Sequence, residues 1–184
     1  MAILHAPILD QAGFYIGSSS EVKSYVYRLN GSDQYFQLSE DLTLSNGQVM
    51  EFECVGDHDG GVLISTASFG LQFRLIGGVY DFFGCDAEVN GVPATSGVTT
   101  YDGGDITSFK LTVTTARPLG TLASKSISFL SPSAMRKFKR KESNGNVINE
   151  IPLTNKAQGA TQLPTIGSVS ATIVGYNEND WEEV

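Results

Sequence analysis

Two short loops hold the residues best suited to bind a cation. Asp57-His58-Asp59-Gly60-Gly61 places two carboxylates at i and i+2 beside glycines, and Asp57 and Asp59 could supply oxygen ligands to Ca²⁺. The further acids of a helix-flanked calcium loop are missing, and a short Asp/Gly loop also serves simply as a turn. Tyr101-Asp102-Gly103-Gly104-Asp105 is a second acidic loop; the pair would make a better site if the fold joined them, which spacing alone does not say. Sugar recognition asks for an exposed ring against a pyranose face, with Asp or Asn beside it to hold hydroxyls. Tyr80 with Asp81, and Trp181 with Asn179, are the available sets. Tyr80 also belongs to the run Tyr80-Asp81-Phe82-Phe83, which is more typical of a core than of a ligand platform. Calcium apart, no cofactor is expected.

Catalytic groups are sparse. His5 and His58 are the only histidines, and neither a Ser/His/Asp set, a GxSxG elbow nor a phosphate-cradling glycine loop occurs. Glu51 and Glu53 share one strand face, but a glycan hydrolase needs one of two carboxylates desolvated enough to stay protonated, and alternation places this pair on a solvated face. The chain is therefore expected not to be an enzyme. Cys54 and Cys85 lack CxxC spacing and a neighbouring His/Cys cluster. They read as reduced core thiols, with a disulfide open only if their strands face each other.

The strongest charge feature is Arg136-Lys137-Phe138-Lys139-Arg140-Lys141, which packs five of the chain's 12 basic residues into six positions. Such a strand is expected at a sheet edge or on an outer face, with Phe138 as its anchor. Glu178, Asp180, Glu182 and Glu183 give the tail the opposite sign. A basic strip and an acidic terminus suggest head-to-tail contact between copies; the alternative is two solvated patches that never meet. Affinity would come from an apolar N-terminal arm carrying Ile3, Leu4, Ile8 and Leu9.

The elements that must carry these residues are strands. Met50, Phe52 and Cys54 alternate with Glu51 and Glu53; Phe69, Leu71, Phe73 and Leu75 with Gly70, Gln72 and Arg74; Phe109, Leu111 and Val113 with Lys110, Thr112 and Thr114. Tyr25, Tyr27 and Leu29 against Val26 and Arg28, and Val169, Ala171 and Ile173 against Ser170 and Thr172, repeat the pattern, which is that of half-buried antiparallel strands. Asn30-Gly31, Asn46-Gly47, Gly60-Gly61, Gly77-Gly78, Asn90-Gly91, Gly103-Gly104 and Asn144-Gly145 punctuate them. Many short strands with almost no helix predict a two-sheet antiparallel jelly-roll sandwich. Residues 1–22 are expected to form an arm or edge segment, and residues 23–184 a single domain.

Composition agrees. At 184 residues and 41% hydrophobic, the chain can bury a core without metals or disulfides. Its net charge of -8 repels a phosphate backbone, so nucleic acid is not an expected partner. No apolar run is long enough to insert in a membrane, and Met1–Asp10 carries no Lys or Arg, which points to synthesis in the cytosol.

Tyr27-Arg28-Leu29-Asn30-Gly31-Ser32-Asp33-Gln34-Tyr35-Phe36-Gln37-Leu38, then a strand ending near Cys54, then Gly61-Val62-Leu63-Ile64-Ser65 and Phe69–Leu75, resemble concanavalin A-like and laminin G-like jelly rolls over residues 23–175. The Glu-x-Asp-x-x-Glu strand of this fold's glycosidases is absent, whereas its laminin G-like members often hold calcium at a loop rim. Asn144-Gly145-Asn146-Val147-Ile148-Asn149-Glu150-Ile151-Pro152-Leu153, with Gly167–Val174, Tyr176-Asn177-Glu178 and Trp181, is similar to the closing segment of tailed-bacteriophage virion proteins. The resemblance implies a structural virion protein, assembled in the host cytoplasm, that decorates the capsid or forms part of a tail appendage. Its partners would be other virion proteins and copies of itself. The rival it implies is a lectin-like module for a host surface glycan.

Overall fold

In a computed structural model, residues 23–40, 42, 44–59, 61–65, 71–114, 126–127 and 134–184 are described. The expected arm, with Ile3, Leu4, Ile8 and Leu9, lies outside the described residues. The strands are β1 (Tyr25–Tyr27), β2 (Tyr35–Leu38), β3 (Val49–Val55), β4 (Gly61–Ser65), β5 (Gln72–Ile76), β6 (Val79–Phe83), β7 (Cys85–Val89), β8 (Val92–Pro93), β9 (Ile106–Val113), β10 (Ser126–Ile127), β11 (Ala134–Lys141), β12 (Val147–Ile151), β13 (Thr161–Gln162), β14 (Ala171–Val174) and β15 (Trp181–Glu183). Helix among the described residues is limited to 3-10 turns at Lys156–Gln158 and Glu178–Asp180.

All strand pairs are antiparallel. Among the described residues one sheet runs β12-β11-β3-β9-β7-β8, a second β10-β2-β14-β13, a third β4-β5-β6, and β1 and β15 form a two-stranded pair. β10 and β4 lie side by side, which brings the second and third sheets next to each other. The chain is thus all-β, built from several antiparallel sheets and consistent with a β-sandwich.

Period-two patterning decides what each strand buries. β3 turns Met50, Phe52 and Cys54 inward, and β9 does the same with Phe109, Leu111 and Val113. Leu71, Phe73 and Leu75, with Phe36, Leu38, Ala171 and Ile173, meet them in one core. Phe73 crosses between sheets to sit edge-on to Phe109 at 5.2 Å, and Phe52 stacks on Phe109 at 5.0 Å. Each ring buried this way contributes about 1.5–3 kcal/mol.

Two expectations need correcting. β1 breaks strict alternation, because Val26 is buried beside Tyr27; it packs with Val55 and Ala134 in a small separate cluster. Of the two positions expected for the basic strand, the edge is overturned, since β11 lies between β12 and β3, while its charges do line an outer face. Strict alternation would set Phe138 opposite Met135. Instead the register with β3 shifts between Arg136 and Lys139, and Lys137 takes φ 57. This β-bulge inserts one residue, so Met135 and Phe138 are both buried while Arg136 and Lys139 stand opposite Glu53 and Glu51.

Hairpin geometry follows the turn residues. At Asn90-Gly91, between β7 and β8, φ is 51 and 76, and at Gly77-Gly78, between β5 and β6, it is 58 and 75. Both suit the primed turns whose twist matches the strands.

Candidate functional site

The largest ordered array of functional groups covers the outer face of the six-stranded sheet. Cross-strand register aligns Glu88 on β7 with Lys110 on β9, Lys110 with Glu51 on β3, Glu51 with Lys139 on β11, and Lys139 with Glu150 on β12. Charge thus alternates in sign across five strands. Lys110 Nζ donates to Glu88 Oε1 at 2.6 Å, Lys141 Nζ to Glu51 Oε1 at 2.6 Å, and Lys139 Nζ lies 3.2 Å from Glu150 Oε1. One row along, Arg136 Nε and Lys137 Nζ both donate to Glu53, at 2.7 and 2.9 Å. A shallow trough of about 310 Å³ runs between Glu51, Glu53, Glu88, Lys110, Lys137 and Lys139.

Glu53 shows what the pairing does to one acid. Burial works to raise the Glu53 pKa, but hydrogen bonds from Lys137 and Arg136, together with their charges, outweigh it and hold the carboxyl below its ordinary value. A proton donor to a glycosidic oxygen needs the opposite shift. Arg140 sits opposite Met50 on β3, where its Nε donates to Gln48 Oε1 at 3.4 Å and burial lowers its pKa.

The acidic tail is likewise engaged within the chain. Lys23 Nζ donates to Glu183 Oε2 at 2.7 Å and Arg28 Nε to Glu182 Oε2 at 2.7 Å. Both halves of the charge segregation that suggested head-to-tail contact therefore find partners inside one molecule. The buried Tyr27 hydroxyl binds this closing segment further. It accepts from Asn177 N–H at 2.8 Å and from Gln34 Nε2 at 3.2 Å, and donates to Asp180 Oδ2 at 3.2 Å. Burial, the leading cause, pushes its pKa up to about 12.

The two acidic loops do meet. Gly56 N–H, at the start of the first, donates to Asp105 O of the second at 2.8 Å, and the Tyr101 hydroxyl lies 3.4 Å from Gly56 O. Between them His58 is fully buried, its ring 4.4 Å from that of Tyr101. Its Nδ1 lies 3.1 Å from Gly56 O, which can only accept, so Nδ1 carries the proton and Nε2 accepts from the Tyr80 hydroxyl at 3.1 Å. Asp57 and Asp59 are exposed, and Asp59 N–H donates to Asp57 Oδ1 at 3.0 Å. Among the described residues no group of three or more His, Cys, Asp or Glu is placed to hold a metal.

The rings of both sugar-stacking sets lie in the core, which for Tyr80 is the place its aromatic run favoured. Tyr80 is fully buried, stacked on Phe73 at 5.6 Å, so it has no ring face to offer. Its neighbour Asp81 is paired with Arg74 at 2.5 Å and accepts from Ser96 Oγ at 3.0 Å; the Arg74 hydrogen bond lowers its pKa most. Trp181 is buried edge-on to Tyr27 at 5.4 Å, with its Nε1–H donating to Tyr176 Oη at 3.3 Å. Asn179 is exposed in the 3-10 turn before it. The aromatic rings went to the core because the hydrophobic gain of burial exceeds anything an exposed ring supplies in the free protein. Cys54 and Cys85 are buried free thiols, both with pKa raised by burial.

Lys110, Glu88 and Glu150, which complete the ladder, are single charges in separate strands and carry no sequence signal until register joins them. Gln34 and Tyr27 lay within a recognisable motif, yet their partner Asp180 is far along the chain. No family model, curated protein or solved structure matches the chain.

Proposed function

We propose that the protein is a non-enzymatic structural component of a tailed-phage virion. In this reading the sandwich is a jelly roll of the concanavalin A-like and laminin G-like kind, decorating the capsid or building part of a tail appendage. It works through contacts with other virion proteins and further copies of itself. The observation that carries the proposal is the five-strand ladder of ion pairs on the outer face of the six-stranded sheet. A wall whose charges are already paired is suited to stand in a crowded assembly without trapping charged partners indiscriminately, and the Glu53 carboxyl one row along is held below its ordinary value, the wrong direction for a proton donor. Further support comes from the segment that resembles phage virion proteins: through β12, β14 and β15 it pairs with β11, β2 and β1.

Mass spectrometry of intact particles tests it. The chain is expected among the structural proteins in many copies per particle. Failure to find it there, together with a saturable signal on a glycan array, would replace the proposal with the lectin reading.

A further inference from the structure

An asparagine followed by glycine can close its side-chain amide onto the next backbone nitrogen, because glycine has no Cβ to shield that nitrogen. The chain holds four such pairs, at Asn30, Asn46, Asn90 and Asn144, and the fold sets one of them apart. Ring closure calls for an uncommitted N–H on the glycine, a carboxamide folded back over its own turn, and donors for the oxygen that gathers charge.

At Asn46 and Asn144 the glycine is committed, with Gly47 N–H donating to Val113 O at 2.8 Å and Gly145 N–H to Glu142 O at 2.9 Å. At Asn90 the carboxamide is drawn across to β9, where Oδ1 accepts from Ser108 N–H at 2.9 Å. Asn30 differs on each count. It is exposed to water, and its Oδ1 accepts from the N–H groups of Ser32, Asp33 and Gln34 at 3.0, 3.3 and 3.3 Å. Three backbone dipoles thus converge on the oxygen where charge develops. Among the described residues none accepts from Gly31 N–H.

We propose that Asn30 is a self-modifying site, the preferred point of deamidation in the folded chain, and that its conversion loosens the closing segment. Gly31 N attacks Asn30 Cγ, and the N–Cγ bond forms as the Cγ–Nδ2 bond breaks. The Gly31 proton leaves with the amide as ammonia, and a succinimide ring remains. Water opens that ring, its hydroxyl going to a carbonyl carbon and its other proton to the nitrogen, to give aspartate or isoaspartate. Nothing is oxidised or reduced.

The consequence runs through Gln34. Asn30 N–H donates to Gln34 Oε1 at 2.8 Å, and Gln34 Nε2 donates to Asp180 Oδ2 at 2.8 Å and to Gly175 O at 2.9 Å. In the unmodified turn Asn30 Nδ2 donates to Asp33 Oδ1 at 2.7 Å. Either product replaces that donor with a carboxylate facing Asp33, and like charges repel; isoaspartate also lengthens the backbone by one carbon. Gln34 is thereby pulled from the segment that carries Trp181, the only tryptophan. The inference stands apart from the virion proposal and does not depend on it.

Ageing the full chain at mildly alkaline pH tests it, with peptide mapping by mass spectrometry, isoaspartyl methyltransferase labelling and Trp181 emission followed on the same samples. In the folded protein Asn30 is expected to convert about tenfold or more faster than Asn46, Asn90 and Asn144, the factor that a forfeited backbone hydrogen bond is worth. In urea the four rates should converge. Trp181 emission should shift with the time course of Asn30 conversion. In Asn30→Ser, which suits a turn but has no amide to close the ring, it should stay constant over the same period. The proposal is overturned if another of the four pairs converts as fast in the folded chain, or if Asn30 stays intact while the unfolded chain converts. It is equally overturned if Trp181 emission is unmoved once Asn30 has converted, or drifts as much in Asn30→Ser.

Discussion

His58 shows how much one residue can depend on its surroundings. Burial lowers its pKa from the ordinary 6.5, and the nearby charges of Asp57, Asp59 and Asp102 only partly offset this. The unfolded chain takes up a proton near 6.5, whereas the folded chain resists until lower pH. Below 6.5 the unfolded state therefore binds more protons, and stability present above that value is lost as pH falls towards the folded pKa. The urea midpoint of the wild type should thus drop more between pH 7.5 and pH 5.5 than that of His58→Gln. The variant's starting stability should be lower by about 1–3 kcal/mol, because the ring contacts go. Parallel pH profiles for the two proteins would show that His58 does not titrate as its burial requires.

At the scale of the element, β11 is the instructive case. Its sequence reads as a basic strand with one apolar anchor, and strict alternation would oppose Met135 to Phe138. The bulge at Lys137 reconciles them, at the strain of a positive φ in a residue with a side chain. Deleting Lys137 removes the extra residue and forces Phe138 or Met135 out of the core. A loss of at least about 3 kcal/mol is expected, comparable to truncating a buried Phe, and chemical denaturation measures it. Lys137→Gly should instead keep or raise stability by up to about 1 kcal/mol, since glycine adopts positive φ freely. Were the deletion tolerated and the glycine variant damaging, the bulge would not be what sets the strand's register.

Across the whole molecule, charge is organised for internal pairing. The exposed pairs contribute about 0–1 kcal/mol each, so the ladder is better seen as selecting register than as holding the sheets together. Burial of the common core does that. Reversing Arg136, Lys137, Lys139 and Arg140 to Glu would set like charges against Glu51, Glu53 and Glu150, and would disturb the fold before any contact between copies. A cleaner probe of assembly removes residues 1–22, since the described strands begin at Tyr25. The truncated chain should still unfold cooperatively but sediment as a smaller species than the full chain. Equal sedimentation would leave the apolar residues Ile3, Leu4, Ile8 and Leu9 without the role in self-contact expected of them.

Alternation and turn residues were enough to read the all-β class, the inward faces of β3, β9 and β14, and the hairpin at Asn90-Gly91. Those features arise between residues one or two apart, where backbone geometry leaves little choice. Tertiary structure decided the rest: that Lys110 faces Glu51, that β11 is interior, that the loops of His58 and Tyr101 meet, and that Tyr80 and Trp181 are buried. It also brought Gln34 beside Gly175 and Asp180. Each of these depends on which strand pairs with which and in what register. That choice is made by burying all the apolar faces at once, a condition on the whole chain that no local stretch of sequence expresses.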